Sequence, residues 1–305
     1  MIHVLYENPD WLPPLKEALE AENLPVTYHF VEGGSVDLGG EPPAGVWINR
    51  MSPSSHTRGH QGGVRHTQNL LLWLEAHGRP VINGSAAFAI ELSKVRQDLA
   101  LQAVGVRTPR TVGAVGKEAL REAARQMSLP FITKHDQGGK GLGVQLFRDL
   151  KAFDAYLDGP DFVEDPGGVT LLQQYIEPAD GAITRIELAD GELVYAMRSS
   201  TAGGFELCPA DACAIDEGAF CPTEPSDTFR WDPKFSADDP LVGKYLELMR
   251  RHGIALAGIE FVTDAQGHRY TYDINGTTNY NGKVEAEAGV VGMSYLARMA
   301  KRLLG

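Results

Sequence analysis

The sequence predicts an α/β protein, of the mixed α/β and α+β kind, that begins with a parallel-sheet α/β domain. Three observations lead to this prediction. Short apolar runs alternate with helical patterns over the first ninety residues, a glycine-rich loop separates two strand-like runs within 131–147, and a hairpin at 257–274 carries carboxylate and amide side chains. The first observation indicates a sheet layered with helices, and the other two place polar chemistry on strands.

Composition limits the classes of protein that fit. The chain has 305 residues, of which 43% are hydrophobic, so it can bury a large core and fold alone, as one large domain or two or three small ones. Its 28 Lys and Arg against 40 Asp and Glu give a net charge of -12, without a basic cluster. We therefore expect no nucleic-acid partner. No stretch reaches eighteen apolar residues, and Pro9 interrupts the first apolar run, so we expect a soluble cytoplasmic protein with no membrane partner.

The first ninety residues alternate between helices and strands. Predicted helices cover 12–21 and 68–77, and predicted strands cover 2–6, 26–30, 45–49 and 80–83. The segment after the first strand contains no glycine-rich dinucleotide fingerprint, which argues against a nicotinamide enzyme. The pattern predicts a small α/β layer domain.

The middle of the chain contains the glycine-rich loop, at 136–143, between predicted strands at 131–135 and 144–147. Around it we predict helices at 85–103, 117–127 and 151–157, a turn and strand within 105–112, and a strand at 170–176. A P-loop or a Rossmann turn would open a helix, which this loop does not. Its four glycines, with Lys140 among them and Lys134 before them, favour phosphate binding, because glycine lets backbone N–H groups approach an anion. The alternative is a mobile hairpin turn.

The last third of the chain is predicted to contain two hairpins. The first joins strands 183–188 and 192–198, the second joins 257–263 and 269–274, and helices cover 241–252 and 290–304. The segment 199–237 is irregular and contains Cys208, Cys213 and Cys221. Their spacing is not that of a zinc site, so we expect reduced thiols.

The second of these hairpins carries candidate metal ligands. Asp273 and Asn275 face the same side of their strand, because alternate residues do. If 265–268 form a four-residue loop, Glu260 lies opposite Asp273 and faces the same way. Two carboxylates and one amide oxygen suit a cation held between the protein and nucleotide phosphates. A solvated polar face is the alternative, but the apolar neighbours of these residues favour an interior position, where carboxylates need partners.

Taken in order, these motifs resemble the signature of the ATP-grasp superfamily, and most closely its RimK-like branch, the glutamate ligases. Glutathione synthetases and D-alanine ligases are similar in a more distant way. The motifs are Lys94, Lys134 with the glycine loop, the QQYI run at 173–176, Glu260, and the triplet Asp273-Ile274-Asn275. The resemblance covers roughly residues 85–305 and implies a two-lobed ATP-grasp fold after the N-terminal domain. The implied domains are 1–90, 91–172 and 173–305.

The resemblance implies a role for each matching residue. The magnesium ligands would be Glu260, Asp273 and Asn275. The nucleotide would be bound by Lys94, Lys134, Gly138, Gly139, Gly141, Gly143, Gln173, Gln174, Tyr175 and Ile176, the last four at the edge of adenine. The residues that act on the transferred phosphate would be Arg198, Arg185 and Lys140, although a surface salt bridge is the alternative for each arginine. From the sequence itself, Arg50 ends a predicted strand and is a candidate to bind a substrate carboxylate, with a solvated loop as the alternative.

The function that the resemblance implies is an ATP-dependent carboxylate–amine ligase, which forms an amide or peptide bond through an acyl phosphate and releases ADP and phosphate. Its cofactors would be ATP and Mg²⁺, with Mn²⁺ as an alternative, and its substrates a small carboxylate and an amine, such as an amino acid or a peptide. Two departures from the family pattern matter. Asp273 stands where the family usually has Glu, and this shorter side chain should still reach the metal but leaves its bridging in doubt. The segment 199–237 has no familiar counterpart, which puts the substrate in doubt. A small-molecule kinase and a non-catalytic nucleotide-binding regulator are the rivals, and a homodimer is left open.

Overall fold

The computed structural model of the chain describes residues 1–138, 143–201 and 229–305. Within these ranges the strands form three sheets, one parallel and two antiparallel. The mixed α/β fold class predicted from the sequence is confirmed. Six of the residues singled out above lie outside the described ranges, namely Gly139, Lys140, Gly141, Cys208, Cys213 and Cys221.

The N-terminal sheet is parallel, as predicted. Its strands are β1 (Ile2–Tyr6), β2 (Val26–Phe30), β3 (Val46–Arg50) and β4 (Val81–Ile82), in the order β2-β1-β3-β4. Helices α1 (Pro13–Ala21) and α2 (Gly63–Ala76) cover opposite faces, because Ile2 and Val4 point toward α1 whereas Leu5 points toward α2. Tyr6 pairs with Arg50, so the carboxyl ends of these strands lie at one edge of the sheet.

Two helices connect this sheet to the next. They are α3 (Ser85–Glu91) and α4 (Lys94–Ala103), which replace the single helix predicted at 85–103. The break lies at Ser93, whose backbone is extended and whose hydroxyl accepts a hydrogen bond from the N–H of Arg96. Ser93 is therefore the N-cap of α4, a signal that the continuous helical pattern concealed.

The second sheet is antiparallel and has the order β5-β8-β6-β7. Its elements are β5 (Thr111–Ala114), α5 (Lys117–Arg125), β6 (Phe131–His135), β7 (Gln145–Phe147), α6 (Leu150–Asp158) and β8 (Thr170–Gln174). Helices α5 and α6 pack on one face, around Phe131, Phe147 and Phe153. The domain boundary that we predicted after residue 172 falls inside β8. The whole of β8 belongs to this sheet, because it pairs with both β5 and β6.

The third sheet is also antiparallel and contains both predicted hairpins. Its elements are β9 (Ala182–Ala189), β10 (Glu192–Ser200), β11 (Phe229–Trp231), α7 (Pro240–His252), β12 (Leu256–Thr263) and β13 (Arg269–Asn275), with the strand order β11-β10-β9-β12-β13. Strand β11 lies within 199–237, a segment predicted to be irregular, and pairs with β10. No alternating pattern of apolar and polar residues in this segment predicted the strand.

Two helices follow the third sheet, α8 (Gly282–Ala288) and α9 (Gly292–Leu304). We predicted α9 but not α8, which is short and begins at an N-cap, Asn281. Helix α9 packs against α1 and so joins the end of the chain to the N-terminal sheet. No helix in the described ranges is long and apolar enough to cross a membrane.

The third sheet has two chemically different faces. On one face, Ile186 and Ile259 pair across β9 and β12 and pack against α7. On the other face, Arg185, Glu260 and Asp273 form a row across β9, β12 and β13. The candidate site lies on this second face.

Candidate active site

The β12–β13 hairpin brings the predicted metal ligands together. Glu260 pairs with Asp273, and Asn275 follows two residues later on the same face of β13. Glu260 is buried and Asp273 is half-buried, so the solvated-face alternative does not describe them. The predicted pairing of the two carboxylates is therefore present in the structure.

The loop length and the strand register that produce this pairing differ from the predicted ones. Thr263 pairs with Arg269, so the loop is 264–268, five residues instead of four. The carboxylate of Asp264 closes this loop by accepting hydrogen bonds from backbone N–H groups within it. A bulge that leaves Tyr272 without a register partner then restores the alignment that we predicted.

Two lysines converge on this hairpin from other elements. Lys94, at the start of α4, donates a hydrogen bond to Asp273 Oδ1 at 2.5 Å. Lys134, in β6, donates to the backbone oxygen of Tyr272 at 3.2 Å. Two predicted nucleotide-binding residues thus face the predicted metal ligands, and the second sheet meets the third at this point.

Burial and neighbouring charges shift the acid–base properties of these groups in opposite directions. Burial and the charge of Lys94 lower the pKa of Lys134 to about 8. Burial opposes ionisation of Asp273, but Lys94 and Lys134 outweigh it and lower the pKa of that carboxyl. Burial raises the pKa of Glu260, Arg185 acts against that rise, and Asp273 adds to it. Opposed shifts within one cluster are typical of functional sites.

The donor set fits a hard divalent cation. Asn275 Nδ2 donates to Asp273 Oδ2 at 3.3 Å, which orients the amide so that its oxygen is not used in this contact. Two carboxylates and an amide oxygen are ligands that Mg²⁺ accepts beside nucleotide phosphates. In the part of the chain that the structure describes, no three His, Cys, Asp or Glu side chains form a metal cluster. A cation here would therefore need further oxygen ligands from a nucleotide or from water.

Arg185 lies beside these carboxylates in a buried network. Its guanidinium donates to Glu187 at 2.6 Å, to Glu260 at 2.7 Å and to Thr278 Oγ1 at 2.8 Å, and the Thr278 hydroxyl donates to Glu187 at 2.8 Å. Burial opposes the charge, yet Glu187 and Glu260 raise the pKa of Arg185. Sequence reasoning missed Glu187 and Thr278, although Glu187 shares the face of Arg185 two residues away.

Two further polar side chains that sequence reasoning missed hold the hairpin and the loop after it. Gln97 of α4 donates to the oxygen of Ile274 and accepts from its N–H, both at 2.9 Å, so it covers the free edge of β13. Glu91 of α3 accepts a hydrogen bond from the N–H of Thr277 at 2.6 Å. These contacts fix the backbone on both sides of Asn275. Polar residues inside helical patterns gave no sequence signal of this role.

Glu91 also lies 3.1 Å from the hydroxyl of Thr277, which is 2.9 Å from the carbonyl oxygen of Met51. A hydroxyl has one proton, so a protonated Glu91 that donates to Thr277 satisfies both contacts. Burial raises the pKa of Glu91 to about 7, which agrees with this arrangement. The contacts of Thr277 join the N-terminal sheet to the metal hairpin.

Arg50, the predicted substrate residue, ends β3 as expected. It is 4% exposed, which excludes the solvated-loop alternative. Its Nη2 donates to the backbone oxygen of Thr278 at 3.0 Å and to Asn279 Oδ1 at 2.7 Å. Thr278 therefore connects Arg50 to the network that holds Arg185, because it bonds to Arg50 through its backbone oxygen and to Arg185 through its hydroxyl.

The glycine-rich loop is described at its two ends. Gly143 has a φ of 71°, and a Cβ there would lie 2.5 Å from the His135 ring, so a larger residue would be strained. At the other end, Gly138 follows Gln137, whose N–H donates to Asp165 at 2.8 Å. The roles of Gly139, Lys140 and Gly141 stay predictions, because these residues lie outside the described ranges.

The predicted adenine edge, residues 173–176, begins at the end of β8. Gln173 is buried, and its side-chain oxygen lies 3.5 Å from Lys134 Nζ. The N–H groups of Gln174 and Tyr175 donate to backbone carbonyls of neighbouring segments, and Ile176 is half-buried. The run therefore starts beside one of the two site lysines.

Arg198 is the predicted site residue that the structure places apart. It pairs with Thr184, whereas Arg185 pairs with Met197, so the two arginines point to opposite faces of the sheet. The guanidinium of Arg198 donates to Asp180 at 2.5 Å, and its side chain is 37% exposed. Its environment is the exposed ion pair that we considered as the alternative role.

Part of the chain matches a known family model, and the fold matches solved structures. Residues 91–207 match the model of the RimK-like ATP-grasp domain. The structure of D-alanyl-alanine synthetase A from Vibrio cholerae superposes with a TM-score of 0.67 and 14% identity, over 99% of this chain and 98% of that one. A RimK domain ATP-grasp protein from Sphaerobacter thermophilus has a TM-score of 0.66 and 16% identity, over 97% and 98%.

The chain has the fold of these ATP-grasp proteins, and its residues 91–207 are similar to the RimK-like ATP-grasp domain. D-cycloserine synthetase DcsG has the same fold, with a TM-score of 0.66 and 18% identity over 99% of this chain and all of that one. At such identities the superpositions establish the fold alone.

The alignments with curated relatives cover part of this chain. A probable alpha-L-glutamate ligase from Teredinibacter turnerae is 28% identical over 131 residues, which are 43% of this chain and 42% of the relative. One from Methanococcoides burtonii is 26% identical over 137 residues, 45% of this chain and 44% of the relative. The aligned part therefore spans less than half the length of these relatives.

Proposed function

We propose that the protein is an ATP-dependent carboxylate–amine ligase that works through an acyl phosphate. The observation that carries this proposal is the convergence of Lys94 and Lys134 on the paired carboxylates Glu260 and Asp273, within a RimK-like ATP-grasp fold. Cations beside a carboxylate pair suit the binding of nucleotide phosphates together with a divalent metal. Relatives named glutamate ligase and neighbours named synthetase support the ligase class.

In this proposal Glu260, Asp273 and Asn275 hold Mg²⁺, for which Mn²⁺ is the alternative. When bound, the ion supplies Lewis-acid stabilisation of the negative charge on the phosphates. Lys94 and Lys134 exchange their present partners for phosphate oxygens. The pKa of Lys134, lowered to about 8, then rises again because the phosphates favour its charged form.

The remaining nucleotide contacts follow the order of the chain. The glycine-rich loop, with Lys140, covers the phosphates and excludes water from the reacting groups. Gln173, Gln174, Tyr175 and Ile176 bind the adenine edge. Arg185 is the residue that we assign to the transferred phosphate or acyl phosphate, acting from its fixed position between Glu187 and Glu260.

The reaction has two steps. An oxygen of the substrate carboxylate attacks the γ-phosphorus of ATP, the bond to the β-phosphate oxygen breaks, and ADP leaves. The amine then attacks the acyl carbon, phosphate departs with the bonding electrons, and the nitrogen loses a proton. The substrates are a small carboxylate and an amine of the amino-acid or peptide class, which the names of the relatives support.

The test is ADP release from ATP and Mg²⁺ with amino acids and small carboxylates, supplied singly and in pairs. A ligase releases ADP only when both substrates are present and yields an amide, which mass spectrometry detects. A stable phosphoester indicates a kinase, and ATP binding without turnover for any pair indicates a regulator. Glu192→Gln, at an exposed position of β10, is the matched control for variants of the buried carboxylates.

The mechanism has a separate test once a substrate pair is found. Hydroxylamine should trap the activated carboxyl group as a hydroxamate, and ¹⁸O from the substrate carboxylate should appear in the released phosphate. Formation of AMP and pyrophosphate indicates adenylation instead. Phosphate without ¹⁸O means that the carboxylate did not attack phosphorus, which removes the acyl phosphate from the mechanism.

A further inference from the structure

Five buried side-chain polar atoms have no hydrogen-bond partner within the described residues. They are Arg50 Nη1, Thr67 Oγ1, His135 Nδ1, Ser199 Oγ and Tyr280 Oη. Most buried polar groups in native proteins are paired, so each of these atoms requires an explanation. Arg50 and Tyr280 differ from the other three because Arg50 hydrogen-bonds to Thr278 and Asn279, in the same loop as Tyr280.

Arg50 is fixed by one half of its guanidinium group. Its Nη2 donates to the oxygen of Thr278 and to Asn279 Oδ1, whereas its Nη1 is buried without a partner in the described chain. The guanidinium is planar and rigid, so Nη1 is held in place by the bonds of Nη2 and cannot turn to water independently. A positively charged donor group is therefore positioned with its N–H bonds unused.

Tyr280 directly follows Asn279 and is 8% exposed. Its ring is fixed by packing against Tyr195, with ring centres 6.1 Å apart, and against Gly292, where a Cβ would come within 2.5 Å of the ring. Its hydroxyl has no partner among the described residues, whereas the Tyr195 hydroxyl accepts a hydrogen bond from the N–H of Asn281 at 3.1 Å. The two packed tyrosines thus differ in hydrogen bonding, because among the described residues the Tyr195 hydroxyl has a partner and the Tyr280 hydroxyl has none.

The surroundings of these two groups determine the charge of a ligand. Burial and the charge of Glu187 raise the pKa of the Tyr280 hydroxyl, and Arg50 acts against that rise, so the hydroxyl remains a neutral donor. Arg50 is always charged. A cation or a simple donor would be repelled or left unpaired, whereas an oxyanion would accept hydrogen bonds from both groups.

We propose that Arg50 and Tyr280 form a binding site for a carboxylate group, which accepts hydrogen bonds from Arg50 Nη1 and Tyr280 Oη. The site lies beside the metal hairpin, because Thr278 bonds to Arg50 through its backbone oxygen and to Arg185 through its hydroxyl. This identification of the ligand as a substrate carboxylate rests on the proposed function. The presence of a carboxylate site does not, and it is tested without a substrate.

The first measurement compares Tyr280→Phe with Tyr195→Phe, a control variant that loses a used hydroxyl from a neighbouring ring. The thermal midpoint of unfolding is measured for both and for the wild type in buffer without carboxylates. Tyr280→Phe removes a buried group that has no partner, so its midpoint should equal or exceed that of the wild type. Tyr195→Phe should lower the midpoint, because it leaves the N–H of Asn281 without this acceptor.

The second measurement uses acetate as the probe. Sodium acetate, compared with sodium chloride at the same ionic strength, should raise the midpoint of the wild type by about 2 °C or more at saturating concentration, because ligand binding stabilises the folded state. Tyr280→Phe should lose at least half of that rise, whereas Tyr195→Phe should keep it. Inorganic sulfate and phosphate in parallel show whether the site takes any oxyanion or prefers the planar carboxylate.

Three outcomes would overturn the proposal. One is a loss of stability in Tyr280→Phe as large as in Tyr195→Phe, because the hydroxyl would then have a partner, such as water, in the free protein. Another is an equal response to acetate in Tyr280→Phe and the wild type. The third is the lack of any response to acetate in the wild type. Failure to release ADP with any substrate pair would count against the ligase assignment and leave these results unchanged.

Discussion

Glu7 and Glu260 are both buried glutamates, but their surroundings shift their pKa values in opposite directions. Glu7 follows β1 in the N-terminal sheet and accepts hydrogen bonds from Arg58 at 2.7 and 2.8 Å and from His60 at 2.7 Å. Burial opposes its charge, but these bonds outweigh burial and lower its pKa. At Glu260, burial and Asp273 outweigh Arg185 and raise the pKa.

The difference lies in how many positive charges each carboxylate has to itself. Glu7 has an arginine in two hydrogen bonds and a histidine, whereas Glu260 shares Arg185 with Glu187. Glu7 is therefore neutralised without a ligand, whereas Glu260 has no cation to itself, and a divalent cation would provide one. A buried carboxyl whose pKa is raised because its negative charge is not fully compensated is a candidate cation ligand, and we can test this distinction residue by residue.

The largest effect is expected at the metal hairpin. Asp273→Asn and Glu260→Gln each remove a negative charge from the proposed Mg²⁺ site, and each should reduce the rate of ADP formation about 10³-fold, since a bound metal contributes several kcal/mol to the transition state. The fold should persist, because neither change alters the size of the side chain and Arg185 keeps Glu187 as a charged partner. The measurement is ADP release under saturating ATP and Mg²⁺, with circular dichroism to verify folding.

Glu192→Gln, which removes an equal charge from an exposed position, should keep the wild-type rate. If Asp273→Asn and Glu260→Gln both turn over at nearly that rate, then the hairpin does not hold the metal. The difference between Glu7 and Glu260 would in that case not reflect metal binding.

The next effect is on stability and lies at Glu7. Glu7→Gln leaves Arg58 and His60 without their buried counter-charge, and should lower the free energy of unfolding by about 3 kcal/mol at pH 7. Urea unfolding measures this loss. Any activity that remains should show the Mg²⁺ dependence of the wild type, because this cluster is complete without metal.

The pH dependence of this loss has a definite sign. The folded pKa of Glu7 is lowered from its ordinary value near 4.5, so its ionised form stabilises the protein above pH 4.5. That contribution is lost as the pH falls from 4.5 through the folded pKa. The difference between wild type and Glu7→Gln should therefore shrink as the pH falls below 4.5. A difference that grows on acidification would contradict the assignment.

The sequence predicted the pairing of Glu260 with Asp273, but two local errors cancelled in that prediction. The loop is one residue longer than expected because Asp264 closes it through its side chain, and the bulge at Tyr272 absorbs the extra residue. Strand periodicity fixes which side chains share a face, but it contains no information about side-chain turns or bulges. The outcome was correct because the total residue count between the two carboxylates was unaffected.

Supporting residues were less predictable than ligands. Glu187, Glu91 and Gln97 act through Arg185, Thr277 and the backbone of Ile274, and none of them belongs to a motif. Their roles depend on which elements meet in space, and single-sequence reasoning does not determine these contacts. Of these three residues, only Glu187 could have been linked to the site from the sequence, because it lies two residues from Arg185 on the same face of a strand.

A moderate effect is expected at Glu187, which tests whether shared charge controls the metal site. In Glu187→Gln the positive charge of Arg185 is no longer divided between two carboxylates, so it should neutralise Glu260 more fully and weaken metal binding roughly tenfold. Electron paramagnetic resonance of Mn²⁺ with ADP present measures this affinity without turnover. Glu192→Gln is again the control, and unchanged Mn²⁺ affinity in Glu187→Gln would show that Arg185 does not transmit the change.

The smallest effect is expected at Arg198, the arginine that strand pairing sends to the opposite face from Arg185. We predicted both from motif position, which identifies the strand but distinguishes its two faces only through register. Arg198→Ala should change the free energy of unfolding by less than about 1 kcal/mol, since an exposed ion pair such as that with Asp180 contributes little. Its ADP release should stay within about twofold of the wild type, because that corresponds to a change of less than about 0.5 kcal/mol in the barrier. Arg185→Ala should lose activity and stability together, because it leaves Glu187 and Glu260 buried without their shared cation. A large loss of turnover in Arg198→Ala with stability preserved would mean that Arg198 reaches the substrate, and the face that strand pairing assigns to it would then not decide its role.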